Sequence, residues 1–538
     1  MIVDLSDCSN TPIPRADICI VGAGIVGITV AYFLRQQGKR VVLVDRGGAL
    51  ATRQDVGGGL EQPDSAYSGG TMGRAFGLGG TSSLWGGQIV ATSNEDRAAR
   101  PWLGVDSWPI PDAEIRSAYE AAAAWLKIPA EMVIPESGEQ SPLGNIGIHF
   151  LRRHAFSLGF SKRNFAEFQR PMLLHDPDLV VMLNARAIKL AKQEIANVDQ
   201  EVTSILLRDP RGVVSEIHAD QFVVAAGAIE TTRLLMQVTN SMTNVHPCLR
   251  TLGTGFRDHI SMPVGTFRVK DRAAFLTHIA PRFDSRGILH PRFELAHRTQ
   301  REFGLPSAFL HVVAKSNGNT VFDALRRLLA MWQARHFPLT SLGANVAQLF
   351  ASPIELARTV VWRLLKNVLY YPAGHDFILQ IDLEQVPSTM HRIELGAEED
   401  DAGVRKVRIA WSVGGVDHLN ARTIAALFEK AWNESPMAEG ATLVLDDIPV
   451  PEVSGGAAPA YDVFHPVGSA ACGADSLKTG VTPDLCVRGF SNLFTVSTAV
   501  LPSSGSANPT FSAIALGIRL ANHVSGLQCN RDAPQSAT

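Results

Sequence analysis

Cysteine is sparse and unpaired. The six residues Cys8, Cys19, Cys248, Cys472, Cys486 and Cys529 are spread over 538 positions, and none stands at metal-ligand spacing from another. That excludes a disulfide framework or a zinc ribbon and fits free, mostly buried thiols in a reducing compartment. An excess of charge of one sign is also lacking: a formal net charge of −3 gives no field that would draw the chain to nucleic acid or to an anionic membrane. The first sixteen residues have neither the basic start nor the apolar run of a secretory signal, so a cytoplasmic location is expected. The longest stretch without a charged side chain, Gly489 to Ile518, is interrupted by Pro502, Gly505 and Pro509 and reads as buried core, not as a membrane span. Short-period repeats are absent, and the polar tail Cys529 to Thr538 is expected to fray. With 46% apolar and 19% charged residues, the chain is an ordinary globular composition too long for one core, so two domains are expected.

The first informative segment is near the N-terminus. Asp17 to Val21 is a short apolar run of buried-strand type, followed at once by Gly22-Ala23-Gly24-Ile25-Val26-Gly27 and by helical spacing through Val30, Phe33 and Leu34 to a closing Gly38. A second apolar strand, Arg40 to Val44, ends on Asp45, eighteen residues after Gly27. Strand, glycine loop, helix, strand and acid together form a dinucleotide fingerprint. Gly22 makes the tight turn, Gly24 lets backbone approach a pyrophosphate at the helix N-terminus, and Gly27 lets helix and strand pack closely. Asp45 is placed to accept hydrogen bonds from ribose hydroxyls and to repel a 2′-phosphate. This unit admits NAD and FAD equally.

Eleven glycines lie from Gly57 to Gly87, crowded around Gly77 to Gly87 with the hydroxyls of Thr81, Ser82 and Ser83 among them. Such density opposes regular structure and lets backbone run against a ligand. Asp178 to Asn184 and Gln221 to Ala226 read as strands, the second leading through Gly227 into a helix. They would extend the N-terminal sheet from a distance.

The C-terminal block carries Phe464-His465-Pro466-Val467-Gly468-Ser469 and, later, Ser506-Ala507-Asn508-Pro509-Thr510, with His465 and Asn508 43 residues apart. These pieces resemble the glucose-methanol-choline (GMC) oxidoreductases. Gly79-Gly80-Thr81-Ser82, Ala226-Gly227-Ala228-Ile229-Glu230, Asp258-His259 and Glu384-Gln385 stand in that family's order, so the resemblance spans Ala16 to Val524. It implies an α/β fold: a Rossmann-type FAD-binding domain from discontinuous segments (16–108, 178–260 and 461–524) and an antiparallel-sheet substrate domain (261–450) of the p-hydroxybenzoate-hydroxylase kind. Residues 109–177 would be a linker covering the cofactor, 320–371 a helical insertion, and 525–538 a tail. The substrate sheet is expected to include Phe377 to Gln385 and Val404 to Trp411.

The resemblance implies FAD as cofactor. Besides Gly22 to Gly27 and Asp45, the implied contacts are Arg46, Arg74, Gly79, Gly80, Thr81, Ser82, Trp85, Gly86, Gly87, Ala187, Ala226, Gly227, Ser497, Thr498, Asn508, Pro509 and Thr510. Ala471-Cys472-Gly473, Thr495 to Ala499, Trp85 and Asn508 depart from the commoner family pattern toward its pyranose-oxidase and fructose-dehydrogenase side. Leu84 stands where pyranose oxidases carry a flavin-tethering histidine, so non-covalent FAD is expected.

The chemistry expected is oxidation of a hydroxyl to a carbonyl, with the neutral imidazole of His465 as base and Asn508 at the same substrate oxygen. Pro509 opens a helix through Phe511, Ile514 and Ile518, whose N-terminal dipole would favour the anionic reduced flavin. His259 is assigned to structure, and Gln385 is the candidate substrate contact. A small alcohol or carbohydrate is the expected substrate; the electron acceptor stays open between dioxygen and a quinone-like compound. Two other readings remain: a redox-silent flavoprotein such as a hydroxynitrile lyase, or a flavin subunit passing electrons to a partner protein. Within the insertion, Asp323 to Trp332 and Ser352 to Tyr370 read as helices, the second opened by a capping box, Ser352 to Glu355. Arg326, Arg327, Arg335, Arg358, Arg363 and Lys366 make it basic. A membrane-surface or quinone-facing patch is one reading; a lid or subunit contact is preferred, and membrane association is not expected.

Overall fold

The computed structural model describes residues 1–7, 15–55, 58–61, 66–135, 138, 140–194, 200–240, 246–316, 318, 320–334, 338–448 and 460–527. The tail 529–538, with Cys529, and also Cys8 and Arg335 lie outside them.

The first sheet is parallel where its strands are apolar throughout. Its strands run in the order β1 (Ile2–Asp4), β7 (Leu179–Leu183), β3 (Val41–Val44), β2 (Ala16–Val21) and β10 (Val214–Val224), with β20 (Leu493–Thr495) beside β10. All four residues of Val41–Val44 are buried, as strands covered on both faces must be. β10 outruns its parallel neighbours and continues into an antiparallel meander with β9 (Gln200–Arg208) and β8 (Arg186–Glu194). Helix α1 (Ile25–Gln36) follows β2, and Gly38 after it has φ +75°, the left-handed stop expected of it. Helix α2 (Asp112–Trp125) packs on the C-terminal helix α8 (Pro509–Gly526), where Tyr119 stacks on Phe511. Helix α3 (Gly227–Asn240) leaves β10 through Gly227.

The second sheet is antiparallel. Its order is β18 (Ala441–Leu445), β11 (His259–Val269), β15 (His375–Glu384), β14 (Ala308–Ser316), β13 (Gly287–Leu295), β6 (Phe150–Leu158) and β4 (Gln88–Ile89). Short strands β5 (Asn145–Ile146), β12 (Arg282–Asp284) and β19 (Tyr461–Asp462) flank β6, β13 and β11. Period-two alternation sorts β15: Phe377, Leu379, Ile381 and Leu383 enter a core with Phe428 and Trp432 of helix α7 (Gly415–Asn433). Gln380, Asp382 and Glu384 therefore share the opposite face.

Several expectations need correction. β6 falls in the stretch read as a linker, and β4 in the stretch read as FAD domain, yet both build the second sheet. The strand expected at Val404 to Trp411 forms at Arg405–Ala410 (β17), but it lies in a separate hairpin with β16 (Arg392–Glu399), with an isolated bridge from Val407 to Leu60, and not in the second sheet. In the insertion, helix α4 (Val321–Ala334) is where expected, but an unforeseen helix α5 (Leu339–Ala351) follows. Helix α6 (Pro353–Val361) gives way to a π-turn, Trp362–Lys366, and ends at the left-handed Asn367 (φ +53°), short of Tyr370. Ser352 makes no side-chain capping bond. Cys19, Cys248, Cys472 and Cys486 are free thiols, the first three buried. No helix among the described residues is long and apolar enough to cross a membrane.

Candidate active site

The C-terminal ends of β2, β3 and β10 open on a cavity of 590 Å³ that continues along α1 and α8 to the edge of the second sheet. Its floor is the glycine loop. Gly22 has φ +106°, and a Cβ there would stand 2.5 Å from the Ala225 carbonyl oxygen. A Cβ on Gly27 would stand 1.8 Å from the Gly22 carbonyl oxygen, whereas one on Gly24 would meet nothing within 4 Å. Two of the glycines thus serve close packing and the third keeps space open for a ligand. Gly24 caps α1 without a side-chain bond, leaving the first helical amides for an anion.

Asp45 lines the cavity, but its carboxylate is already engaged. Oδ2 accepts from Ala23 N at 2.8 Å, and Oδ1 accepts from Gly47 N and Gly77 N at 2.9 and 3.0 Å. Burial raises its pKa against those three donors. Its first role is therefore to tie three loops together, which the sequence reading had not foreseen. Beside it, Arg46 pairs with Asp55 at 2.5 Å and Arg74 with Glu230 at 2.9 Å, and the Arg46 guanidinium sits 4.3 Å over the Phe76 ring. Burial would raise Glu230, but Arg233, Arg46, Arg74 and Arg186 hold it well below the usual carboxylate range.

Of the expected cofactor contacts, Gly22, Gly24, Ile25, Val26, Asp45, Arg46, Arg74, Gly80, Thr81, Trp85, Gly86, Ala187, Ala226, Gly227, Ser497, Thr498, Asn508, Pro509 and Thr510 line the cavity. Ala23, Gly27, Gly79, Ser82 and Gly87 are not part of its lining. Ser82 is an internal brace: its hydroxyl donates to Gly79 O at 2.5 Å and accepts from Phe165 N at 3.0 Å. Gln385 is corrected more fully. It follows β15, its Oε1 accepts from Trp411 Nε1 and its Nε2 donates to Ser412 O, both at 2.8 Å, so its amide is spent away from the cavity.

At the other end of the cavity stand His465, Asn508, Phe464, Met72, Tyr67 and Gln88. His259 Nε2 lies 2.8 Å from the Gly505 carbonyl, which can only accept, so that nitrogen carries the proton. His259 Nδ1 is then an acceptor. The His465 Nδ1 proton fills the 3.0 Å gap between the two rings. His465 Nε2 is left with its lone pair toward Asn508 Nδ2, which donates at 3.1 Å. Burial first, then the neighbouring His259, push His465 down to about 3, against a smaller opposing effect of Asp382. Asn508 Oδ1 is buried with no partner among the described residues. His259 thus holds the His465 ring in place from its buried side.

The backbone around His465 is also held. Phe464 has φ +65°, a strained conformation for a residue with a Cβ, and the next amide, His465 N, donates to both oxygens of Asp258 at 2.9 Å. Tyr67 OH donates to the same carboxylate at 2.7 Å, and burial pushes Asp258 up to about 8. The segment carrying Asn508 is fixed by a buried ion pair: Arg100 donates to Glu384 at 2.5 and 2.9 Å, and Gly505 N donates to Glu384 Oε1 at 3.2 Å. Arg257 Nη2 donates to Pro502 O at 2.5 Å. Arg100, Tyr67 and Arg257 went unnoticed in the sequence, where no local pattern marks them. Glu384 was in view as the neighbour of Gln385, and strand alternation was the signal that could have separated the two.

Residues 17–342 match the family model described as FAD dependent oxidoreductase, and residues 387–517 match that described as GMC oxidoreductase. No curated protein matches the chain. Among solved structures, pyridoxine 4-oxidase from Mesorbium loti superposes with a TM-score of 0.54 at 15% identity, covering 95% of this chain and 99% of that one. Formate oxidase of Aspergillus oryzae RIB40 gives 0.53 at 14%, and a fungal aryl-alcohol oxidase 0.52 at 15%, each covering 96% of this chain and 99% of its own. At such identities these likenesses show the fold. The family matches add the cofactor class: the chain belongs to the FAD-dependent oxidoreductases, whose model covers more than half of it, and its C-terminal part matches the GMC oxidoreductase model.

Proposed function

We propose that the chain oxidises a CH–OH group to a carbonyl, with His465 Nε2 taking the hydroxyl proton. The observation that carries this reading is the chain Gly505 O, His259, His465, Asn508, which leaves one unprotonated imidazole nitrogen at the cavity. The cavity residues fit FAD: the open space at Gly24 and the uncapped N-terminus of α1 would take the pyrophosphate, and Trp85, Ser497, Thr498, Pro509 and Thr510 would flank the ring. When bound, FAD supplies the hydride acceptor for the carbon-bound hydrogen. The uncapped N-terminus of α8 favours negative charge nearby. With Leu84 on the cavity wall, that position offers no group for a covalent tether, so non-covalent FAD is the reading here too.

The part of His465 is to accept a proton, and that of Asn508 is to orient. Its Nδ2 fixes the imidazole, and its orphaned Oδ1 is free for the substrate hydroxyl. A polyhydroxylated substrate such as a sugar or glycoside is favoured by the departures at Trp85, Asn508 and Ala471-Cys472-Gly473 toward the pyranose-oxidase and fructose-dehydrogenase side of the family.

The test is anaerobic mixing of the FAD-loaded enzyme with a panel of sugars, glycosides and simple alcohols, read as bleaching of the flavin band near 450 nm, roughly where oxidised flavins absorb. Bleaching by members of the panel, fastest with polyols, is expected. Turnover of a substrate without bleaching would make the protein a redox-silent lyase. Oxygen uptake after reduction distinguishes dioxygen from another acceptor.

A further inference from the structure

Helices α5 and α6 are turned inside out. In α5, Leu339, Gly343, Val346 and Phe350 recur at i, i+4, i+7 and i+11, the spacing of one helix face, and all four are exposed. The polar residues point inward instead: Asn345 Oδ1 and Gln348 Oε1 each accept from the Arg327 guanidinium at 2.6 Å, and Gln348 Nε2 donates to Thr320 O at 2.9 Å. In α6 and the π-turn, Ile354, Ala357, Val361, Leu364 and Leu365 form a second exposed stripe, while Thr359 and Trp362 are buried. Leu339, Phe350, Ile354, Leu364 and Leu365 are 83, 73, 68, 69 and 79% exposed, far beyond the scattered single apolar residues of an ordinary surface.

The charges around these stripes are of one sign. Residues 321–371 contain six Arg and Lys against two acids. Asp323 is consumed by Ser316 and Thr320, and Glu355 is half-buried. Arg326, Arg358, Arg363 and Lys366 are exposed, and none pairs with a carboxylate among the described residues. Arg363 rests over the Phe283 ring and Lys366 over the Trp362 ring, each at 4.0 Å, so two of the cations are steadied by aromatic faces.

We propose that α5, α6 and the π-turn seat the protein on an anionic lipid bilayer, the two apolar stripes entering the headgroup boundary and the bases meeting lipid phosphates. Helices that lie in a membrane interface have this composition. A second copy of the chain is the poorer occupant. A twofold contact through this patch would bring basic residues against basic residues with no exposed acid among the described residues of 321–371 to answer them. The insertion leaves β14 and returns at His375, the end of β15 opposite Glu384. That strand is ten residues long, roughly 30 Å, so the patch can be altered without touching the base.

The full-length, FAD-loaded chain should sediment with vesicles of phosphatidylcholine containing about a third phosphatidylglycerol, less with phosphatidylcholine alone, and less as salt is raised. Leu339→Ser with Phe350→Ser, and separately Leu364→Ser with Leu365→Ser, should each weaken that binding at least about tenfold while FAD content and thermal melting stay as in the parent. The proposal is overturned if the parent stays in the supernatant with both vesicles, or if the variants sediment as it does. It is equally overturned if the parent has the solution mass of two chains and the variants that of one, because the patch is then covered by a second copy.

Discussion

His259 Nδ1 and His465 Nδ1 face each other at 3.0 Å with a single proton between them, and the Gly505 carbonyl decides which ring supplies it. The tautomer of His465 is therefore set by a main-chain oxygen two steps away. His465→Ala should slow anaerobic flavin reduction by about 10²- to 10⁴-fold with FAD still bound. His259→Phe, which removes the acceptor and frees the ring to carry its proton on Nε2, should slow it by roughly 10- to 100-fold. The double variant should be no slower than His465→Ala, because the two act as one unit. Stopped-flow reduction of all three decides it, and a double variant slower than His465→Ala would give His259 an independent role.

The pH dependence follows from the same contact. A histidine held down to about 3 by burial and by a neighbouring imidazole is neutral throughout the working range. Flavin reduction should then be flat from about pH 5 to 8, with no inflexion near the ordinary histidine value of about 6.5. In His259→Phe one of the two depressing influences is gone, so the acidic limb should move upward. The sign for stability is that of a base whose folded pKa is depressed. The contribution is complete above the unfolded value near 6.5 and is lost as pH falls toward about 3. An inflexion near 6.5 in the parent would show that His465 is solvated as an ordinary histidine.

The glycine loop separates packing from ligand space, and single methyl groups test that division. Gly27→Ala puts a Cβ 1.8 Å from a backbone oxygen and should cost the fold itself, seen as lost soluble protein or a much lower melting temperature. Gly24→Ala meets nothing within 4 Å, so the chain should fold and melt normally without cofactor while its FAD content falls. Normal FAD content in Gly24→Ala would move the pyrophosphate away from this turn.

What was legible in the sequence was local. Strand, loop, helix and acid at Asp17 to Asp45 are consecutive, and His465 and Asn508 sit in short motifs, so their cavity positions could be read in advance. Contacts closing over long separations could not be: Arg100 meets Glu384 across 284 residues, and Tyr67 meets Asp258 across 191. β4 and β6 were misplaced because antiparallel alternation does not say which sheet a strand joins. The apolar stripes of α5 and α6 are periodic in the sequence, but periodicity is silent about whether a stripe faces the core or the solvent. Asp45 was assigned to a ribose on its position alone, and its three backbone donors become visible only when the loops at Ala23, Gly47 and Gly77 converge.

The Arg100 and Glu384 pair is the most demanding of these long-range contacts. Both side chains are almost wholly removed from solvent, at 0% and 4% exposed, so their charges are tolerable only together. Arg100→Met leaves Glu384 ionised and unpaired beside Asp96, whose pKa burial has already pushed up to about 6. A loss of about 3–5 kcal/mol is expected, the usual cost of breaking a buried pair from one side. Arg100→Met combined with Glu384→Met removes both charges and should recover much of that loss, as apolar replacements of buried pairs commonly do. Recovery of stability should not bring back full activity, because Gly505 N loses its acceptor and the segment that presents Asn508 to His465 is released. Denaturant melts and flavin-reduction rates on the single and double variants separate the two effects. A double variant that regains both stability and rate would show that the ion pair supports the fold alone and leaves the placement of Asn508 to other contacts.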